Sequence, residues 1–364
     1  MKLYTVVGAR PQFIKASVIS QEFKKTKDSK YEISETIIHT GQHYDENMSE
    51  KFFRELGIPE PFYNLGIGGG THGENTGRMI ELIEKILIND SPDSLLLYGD
   101  TDSTLAGSIA ASKLGIPIFH IESGLRSFIK NQPEEINRLI TDHLSYICFA
   151  PTEIAVNNLI NEGISKDKIF LCGDVMADCV RVFGSKNSKN SIINNNNLKP
   201  KQYVLVTIHR AENTNDINIL SSILSALNKI NMKVIMPIHP RTKKIIDENG
   251  LIPLISNIEI IEPQGYRDMA ILQKNSAIII TDSGGIQKEA YLHKVPCITL
   301  REKTEWQELV DSGWNKLVNP NDEYEILKIF EKQRLFSIKS DHPNFYGDGF
   351  SSSKIINFIQ NLYL

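Results

Sequence analysis

The stretch AIIITDSGGIQKEA, residues 277 to 290, places an aliphatic run, a polar turn and an amphipathic segment one after another. An aliphatic run almost without polar residues is typical of a strand that is covered on both faces in a parallel sheet. A turn built on Ser283 and two glycines then leads into a helical pattern. A strand, a turn and a helix form half of a βαβ unit, so the stretch predicts an α/β fold with a parallel sheet.

Ten further runs of the same kind are spread along the chain. They are residues 3–7, 35–40, 94–100, 117–122, 146–151 and 169–174 in the first half, and 203–209, 233–239, 258–263 and 296–302 in the second. Helical patterns lie between most of them, and 364 residues are too many for one compact core. The sequence therefore predicts two doubly wound, Rossmann-like domains that face a cleft.

A polar, asparagine-rich segment, GSKNSKNSIINNNNLKPK at 184–201, lies between the halves and has little to bury. We predict it to be a linker between an N-terminal domain at 1–183 and a C-terminal domain at 202–350. The last segment, 351–364, has a helical pattern with enough apolar surface to dock, and the N-terminal domain is the candidate surface for it.

The bulk composition excludes several classes of function. Its 40 basic and 44 acidic side chains give a formal net charge of −4, so no global positive field favours nucleic acid. Cys148, Cys172, Cys179 and Cys297 form no CxxC pair, which predicts free thiols in a reducing cytoplasm and no zinc or other metal site. The N-terminal apolar stretch is far shorter than the about 18 residues of a membrane span, so we predict a first strand and no membrane partner.

Polar side chains follow many of the predicted strands. Ligands of open parallel sheets bind beyond the carboxyl ends of the strands, which makes these side chains candidates for a binding site. Any one of them can instead cap the next helix, worth about 1 kcal/mol, or turn the chain, but their number favours a ligand site. The candidates are Arg10, His39, His43, Asp100, Glu122, Arg126, His209, Arg210, His239, Arg241 and Ser283.

The turn at 281–285 is predicted to bind phosphate. A helix start presents unpaired backbone N–H groups and the positive end of the helix dipole, and Gly284 and Gly285 put no Cβ in the way of an oxyanion. The turn is neither a GxxxxGK[ST] loop nor a GxSxG elbow, so Ser283 is expected to donate a hydrogen bond and not to attack. Another glycine-rich stretch, GGGTHG at 68–73, satisfies GxGxxG but follows no convincing strand and is predicted to be a loop.

Glu289 lies six residues along the helix that follows the turn, a rise of about 9 Å. At that distance a carboxylate avoids the phosphates and can accept hydrogen bonds from a ribose, although an exposed helical glutamate is the alternative. A nucleoside diphosphate also needs cations that pair with phosphate, and the candidates are Arg10, Lys15, His209 and Arg301.

Carboxylates concentrate in the first half. Asp100 and Glu122 end two strands, and Glu134 and Glu135 follow a proline that can start a helix. Such a group can perform general acid and base chemistry, because burial and neighbouring charges separate carboxyl pKa values. The alternatives are that Asp100 caps a helix and that one of the two glutamates only neutralises the helix dipole.

Eight motifs taken together are specific enough to indicate a family. GARPQFIK, HTGQHYDENMSEKFF, GDTDSTLAG, HIESGLRS, PEEINR, HRAEN, TDSGGIQKEA and HPNFYGDG run in the order found in bacterial non-hydrolysing UDP-N-acetylglucosamine 2-epimerases, which the chain resembles over nearly its whole length. The resemblance implies a glycosyltransferase-B-like fold, a homodimer, UDP on the C-terminal domain and no cofactor. It also implies inversion at C2 of the sugar through loss of UDP, a 2-acetamidoglucal and re-addition of UDP.

The resemblance also implies roles for residues at matching positions. The catalytic set is Asp100, Glu122, Glu134 and His209. The UDP-binding set is Arg10, Lys15, Gln264, Ser283, Gly284, Gly285, Glu289 and Arg301, with Gln264 expected near uracil.

Two places depart from the commonest family pattern. Gln12 stands where a glutamate is usual, and residues 303–315 read KTEWQELVDSGWN. Both resemble the branch that epimerises UDP-2,3-diacetamido-2,3-dideoxyglucuronate for surface polysaccharide such as lipopolysaccharide O-antigen. Absence of a carboxylate beside Arg10 is expected to leave a more positive pocket, suited to a carboxylated sugar. The alternatives are drift at residue 12 and UDP-N-acetylglucosamine as the substrate.

Three other activities are compatible with the same nucleotide-binding residues. A glycosyltransferase of this fold would hold UDP in the same way but has no need of acids that converge on C2. A hydrolysing epimerase would release UDP and the free sugar, and a sugar-nucleotide sensor would bind without chemistry. The clustered acids favour the non-hydrolysing epimerase.

Overall fold

The computed structural model describes residues 1–27, 32–41, 53–184, 192–336 and 341–362. The chain divides into two compact units. The first contains Met1–Arg181 and Phe345–Leu364, and the second contains Val182–Asn344.

The first unit is built on a seven-stranded sheet in the order β3-β2-β1-β4-β5-β6-β7, in which every pair of neighbours is parallel. The strands are β1 Lys2–Val7, β2 Ser34–His39, β3 Tyr63–Asn64, β4 Ser94–Tyr98, β5 Ile118–Ile121, β6 Ile147–Ala150 and β7 Ile169–Leu171. The helices are α1 Arg10–Lys25, α2 His72–Asp90, α3 Asp102–Lys113, α4 Pro133–Leu144, α5 Glu153–Asn161 and α6 Val175–Gly184, whose end belongs to the second unit.

The second unit has a six-stranded parallel sheet in the order β10-β9-β8-β11-β12-β13. The strands are β8 Tyr203–Thr207, β9 Lys233–Pro237, β10 Ile258–Ile261, β11 Ile278–Thr281, β12 Cys297–Thr299 and β13 Asn315–Leu317. The helices are α7 Ile192–Asn195, α8 Ala211–Thr214, α9 Ile217–Asn228, α10 Pro240–Glu248, α11 Tyr266–Asn275, α12 Gly284–Leu292, α13 Gln307–Asp311 and α14 Glu323–Arg334; α15 Ser351–Leu362 returns to the first unit.

Helices cover both faces of the second sheet, which explains why its strands are aliphatic throughout. Val206 and Ile280 are fully buried on the face that packs against Leu224 of α9. Their neighbours Leu205 and Ile279 point to the opposite face, in one core with helix α11. The predicted α/β fold with two parallel sheets is confirmed, and each of the eleven aliphatic runs contains a strand.

The C-terminal helix α15 packs in the first unit. Asp178 of α6 accepts hydrogen bonds from the backbone N–H groups of Ser351 at 2.9 Å and Ser352 at 2.8 Å. A carboxylate at this position satisfies two N–H groups that a helix start leaves unpaired and complements the helix dipole. Further along α15, the ring of Phe358 lies 5.8 Å from the ring of Phe149 on β6.

The limits of the second unit differ from the sequence-based boundaries at 202 and 350. Ile193 and Leu198 lie within the predicted linker, yet both are buried in the core of this unit. The segment is polar as a whole, but these two side chains are apolar and gain from burial. Residues 185–191 of that segment lie outside the described residues. At the other end, the chain from Phe345 onward belongs to the first unit.

Candidate active site

An ion pair between Lys15 and Glu122 joins helix α1 to the end of strand β5. Lys15 is only 7 % exposed. Burial alone would lower the pKa of Lys15, but the charges of Glu122, Asp174 and Asp100 outweigh it and raise this pKa above the ordinary value. Three carboxylates of the first unit therefore act on one buried ammonium group.

Glu122 has a left-handed backbone, with φ at 72°. For a residue with a Cβ this conformation costs about 1–3 kcal/mol, and such strain clusters at functional sites. Gly99, at the end of β4, has φ at 62°, and a Cβ added there would lie 3.7 Å from both Glu122 Oε1 and Lys15 Nζ. The glycine thus allows the backbone to turn directly beside the ion pair.

Arg138 of helix α4 pairs with Asp100, the residue that follows Gly99, and with Glu135, whose Oε2 lies 3.0 Å from Nη1. Burial would lower the pKa of Arg138, but Asp100 and Glu135 together raise it. Asp100 is half-buried and does not cap helix α3, since Thr101 accepts the hydrogen bond of the capping position.

The two adjacent glutamates of helix α4 have different surroundings. Glu135 is 3 % exposed and accepts hydrogen bonds from the backbone N–H groups of Ser127 at 2.8 Å and Phe128 at 2.9 Å. Although burial opposes it, these bonds and Arg138 hold the pKa of Glu135 below its ordinary value. Glu135 therefore anchors a loop, whereas Glu134 is half-buried in the first turn of the helix.

A buried charge network supports the loops that carry Asp100 and Glu122. His120 of β5 contacts Asp142 through Nδ1 at 2.7 Å and the carbonyl oxygen of Gly99 through Nε2 at 2.8 Å. Asp142 also accepts from the backbone N–H of Gly124 at 3.0 Å and from Arg126 at 2.7 Å. Burial would raise the pKa of Asp142, but His120 and Arg126 hold it below the ordinary value.

In the second unit, Asp282 connects the turn after β11 to the turn after β8. It is fully buried and accepts hydrogen bonds from the backbone N–H groups of His209 and Arg210, at 3.0 and 2.9 Å to Oδ2. Its Oδ1 lies 3.3 Å from Nδ1 of His209, whose side chain is 45 % exposed. Sequence reasoning assigned no role to Asp282, which positions His209.

Helix α12 begins at Gly284 with Ser283 at its N-cap, and the Ser283 hydroxyl does not cap the helix. The first N–H groups of a helix have no partner within it, so this turn can bind an anion through its backbone. Trp306 Nε1 donates to the carbonyl oxygen of Gly284 at 2.9 Å, and Thr304 donates to Gln287 of α12 at 2.6 Å. The segment after β12 is thus fixed against the first turn of α12.

A carboxylate already occupies the neighbourhood of this turn. Glu305 pairs with Arg301 at 3.0 Å and lies 3.9 Å from Arg210. A Cβ added at Gly284 would lie 3.6 Å from Glu305 Oε2. Burial would raise the pKa of Glu305, but Arg301 and the backbone hold it below the ordinary value. A phosphate at the turn therefore has to compete with Glu305 for these guanidinium groups.

The proposed ribose and uracil residues are also in the second unit. Glu289 is 8 % exposed, and its Oε2 accepts a hydrogen bond from Gln273 of α11 at 2.7 Å. It is therefore not the exposed helical glutamate of the alternative interpretation. Gln264 is half-buried after β10, and its Nε2 donates to the carbonyl oxygen of Glu262 at 2.6 Å.

Gln12 is buried and makes hydrogen bonds within the first unit. It is 2 % exposed, its Oε1 accepts from the backbone N–H groups of Gly8 and Ala9, and its Nε2 donates to Tyr98 O and Thr104 Oγ1, both at 2.9 Å. All four hydrogen bonds are internal, so the amide cross-links α1 to β4 and α3. That the absence of a carboxylate at residue 12 makes a sugar pocket more positive stays a prediction.

Several strand-end candidates have structural partners. His39 is 5 % exposed and packs between the rings of Phe13 and Phe53. The side chain of Arg126 is 1 % exposed and is held by Asp142 and Glu162. His239 caps helix α10 by accepting from the backbone N–H of Arg241 at 3.2 Å. His43 lies outside the described residues.

Within the described ranges, no group of three or more His, Cys, Asp or Glu side chains is arranged to hold a metal, and no helix is long and apolar enough to span a membrane.

Residues 24–360 match the model of the family described as UDP-N-acetylglucosamine 2-epimerase. The chain belongs to this family. It is 46 % identical to UDP-2,3-diacetamido-2,3-dideoxy-D-glucuronate 2-epimerase of Pseudomonas aeruginosa over the full length of both proteins. It is 45 % identical to UDP-N-acetylglucosamine 2-epimerase of Methanococcus maripaludis over 98 % of each chain.

The solved structure of the Methanocaldococcus jannaschii UDP-GlcNAc 2-epimerase in complex with UDP-GlcNAc and UDP has a TM-score of 0.83 to this member of the family. The two are 43 % identical, over 99 % of this chain and 100 % of the other. The predicted family membership and the α/β fold are both confirmed. The protein is an isomerase, and its relatives support UDP-sugar 2-epimerase activity.

Proposed function

We propose that the protein inverts C2 of a UDP-linked N-acetylated amino sugar by eliminating UDP and adding it back. A base removes the proton from C2 while the bond between C1 and the UDP oxygen breaks, and the electron pair of that bond leaves with UDP. The products are a 2-acetamidoglucal and UDP. A proton then adds to the opposite face of C2, and a phosphate oxygen of UDP re-forms the bond to C1.

The first unit supplies the groups for proton transfer in this proposal. Its carrying observation is the Lys15–Glu122 ion pair, with Glu122 strained into the left-handed region and Asp100 acting on the same ammonium group. Glu134 is the third proposed acid, because Glu135 is fully engaged in anchoring a loop. General acid and base groups of this kind contribute typically about 10²–10⁴-fold to a rate.

The second unit holds and stabilises UDP in this proposal. The backbone N–H groups at the start of α12 bind the diphosphate, and the carboxylate of Glu289 binds the ribose. The imidazole of His209 stabilises the negative charge that develops on UDP as it leaves. Two of the proposed cations are already paired with carboxylates, Lys15 with Glu122 and Arg301 with Glu305, so UDP would share their N–H donors with these carboxylates. The full proposed UDP-binding set is Arg10, Lys15, Gln264, Ser283, Gly284, Gly285, Glu289 and Arg301.

Proton NMR in heavy water tests the reaction. Elimination and re-addition predict that each epimerised sugar carries deuterium at C2 and that UDP does not accumulate. Glu122→Gln is expected to lose at least about 10²-fold of the rate, whereas Glu81→Gln, at an exposed position on α2, is expected to keep it. Transfer without deuterium at C2 would indicate a glycosyltransferase, and stoichiometric UDP with free sugar would indicate a hydrolysing epimerase.

We infer that the sugar is the 2,3-diacetamido-2,3-dideoxyglucuronate, converted to its manno epimer. The 46 % identity to the Pseudomonas aeruginosa enzyme of that name supports this substrate. The 45 % identity to a UDP-N-acetylglucosamine 2-epimerase supports the alternative, and the small difference between the two values does not separate them. Incubation with each nucleotide sugar does, since turnover of UDP-N-acetylglucosamine alone would exclude the uronate.

A further inference from the structure

His72 and Asp102 form an ion pair that the proposed reaction does not use. His72 is the first residue of helix α2, and its Nδ1 lies 2.7 Å from Asp102 Oδ2. The imidazole side chain is 72 % exposed, whereas the Asp102 side chain is 10 % exposed. One exposed ring is therefore held by a buried carboxylate from another helix, α3.

The ion pair is connected to the proposed catalytic acids. Asn137 of α4 donates through Nδ2 to Asp102 Oδ1 at 3.1 Å and to the carbonyl oxygen of Asp100 at 2.9 Å. Asn137 lies one helical turn after Glu134, and the charge of Glu134 also acts on His72. The imidazole thus belongs to the same cluster as two of the acids that are proposed to act at C2.

Asp102 determines both the charge and the free edge of the His72 ring. The hydrogen bond and the charge of Asp102 raise the pKa of His72 above its ordinary value. Because a carboxylate only accepts, Nδ1 donates to Asp102. When the ring is protonated on both nitrogens, which the contact with Asp102 favours, Nε2 is a second donor for an acceptor from outside the protein.

Two other cations beside these acids are occupied. Lys15 is buried against Glu122, and Arg138 is divided between Asp100 and Glu135. A sugar carboxylate brought to this group of acids meets like charges unless a cation faces it. His72 is an exposed ring of the cluster that has a donor to offer when it is protonated.

We propose that His72, oriented by Asp102, binds the carboxylate of the uronate sugar. This contact selects the uronate over UDP-N-acetylglucosamine, which has a hydroxymethyl group in place of the carboxylate. The inference rests on the proposed function and names the recognition of its sugar. His72 is the binding residue, and Asp102 is a positioning residue that acts through it.

Steady-state kinetics of His72→Asn with both nucleotide sugars test the proposal. Loss of one charge-assisted hydrogen bond is expected to lower kcat/KM for the uronate by about ten- to a hundred-fold, mainly through KM, and to change kcat/KM for UDP-N-acetylglucosamine less than about two-fold. His72→Lys keeps a cation and is expected to restore most of the preference. His143→Asn, at an exposed histidine in the last turn of α4, is the matched control and should leave both values unchanged.

Asp102→Asn separates positioning from packing. We expect a smaller loss of preference than in His72→Asn, together with a fall of the His72 pKa toward its ordinary value, measured by NMR titration of the imidazole. Circular dichroism checks that each variant is folded. A loss of preference without a change in the His72 pKa would overturn the role given to Asp102.

The outcomes distinguish this inference from the proposed function. If the wild-type protein epimerises only UDP-N-acetylglucosamine, the uronate substrate and the role of His72 both fail while the reaction stands. If it epimerises the uronate and His72→Asn affects both sugars equally or neither, only the role of His72 fails. If it epimerises neither sugar, the proposed function itself is overturned and the inference with it.

Discussion

Gln12→Glu gives a direct test of the first unit's interior. A glutamate can keep the hydrogen bonds from the N–H groups of Gly8 and Ala9, but its second oxygen would face the carbonyl oxygen of Tyr98, to which Gln12 donates at 2.9 Å. A buried polar group that meets an acceptor in place of a donor costs about 1–3 kcal/mol. Its place in the first turn of α1 returns about 0.3–1 kcal/mol through the helix dipole. We expect a net loss of about 1–2 kcal/mol at pH 7.

The loss depends on pH in a defined direction. A protonated glutamate can donate to Tyr98 as the amide does, so the folded protein raises the pKa of this carboxyl above its ordinary value of about 4.3. A raised carboxyl pKa destabilises the fold above the unfolded-state pKa. The penalty is therefore absent below about pH 4, grows from the unfolded-state pKa up to the raised pKa and is constant above it.

Urea unfolding followed by far-UV circular dichroism measures the change. Tryptophan fluorescence is unsuitable, because Trp306 and Trp314 both belong to the second unit. Gln21→Glu, a half-buried position further along α1, is the matched control. Equal stability of Gln12→Glu and wild type at pH 7, or a penalty that persists at pH 4, would refute the hydrogen-bond arrangement. A changed sugar preference would show that residue 12 contacts the substrate after all.

Three further substitutions follow from the structure. Glu122→Gly and Glu122→Gln should both show no epimerisation in the NMR assay. In urea unfolding the glycine variant should be more stable than the glutamine variant by about 1 kcal/mol, because only glycine adopts the left-handed backbone without strain. Asp142→Asn should cost about 3–5 kcal/mol, because it removes a buried carboxylate that pairs with the guanidinium of Arg126 and contacts the imidazole of His120. The pKa of Asp142 is held below its ordinary value, so the stability that Asp142 contributes is present above about pH 4 and is lost on further acidification. Below about pH 4 the stability of the variant should therefore fall less steeply than that of wild type. Asp282→Asn should lower kcat by at least about ten-fold, because it releases His209. The Kd for UDP, measured by calorimetry, should change less, because the start of α12 stays in place. An unchanged kcat would contradict the positioning role of Asp282.

The sheets could be predicted from the sequence because strands of doubly covered parallel sheets are aliphatic along their whole length. The two strands that were missed have no such signal. Strand β3, Tyr63–Asn64, has two residues, and β13, Asn315–Leu317, contains a polar and a charged residue among three. Both are edge strands that pair on one side only, so less aliphatic surface is required of them.

The position of a polar residue after a strand was less informative about function. Asp100 and Glu122 both act on the ammonium group of Lys15 in the first unit, but Arg126, from the same kind of position, is a buried counter-ion. Glu134 and Glu135 are adjacent in sequence and point in different directions, since successive helical residues are about 100° apart. Which of them is available depends on the loop at Ser127, which the local sequence does not specify.

The same distinction applies to the two sequence differences from which the substrate was inferred. Gln12, and Trp306 in the stretch 303–315, lie at the two places where the sequence analysis inferred a departure from the common family pattern. Both side chains make internal hydrogen bonds, to Tyr98 and to Gly284. A side chain whose hydrogen-bond partners are all within the protein reflects how that protein is packed. Its identity carries no direct information about the sugar that the protein binds. His72 lies in the glycine-rich stretch that was predicted to be a loop, yet it begins helix α2 and presents an exposed ring that is held by Asp102 from another motif. Exchange at residue 12 should therefore change stability without changing sugar preference, and exchange at residue 72 should do the reverse.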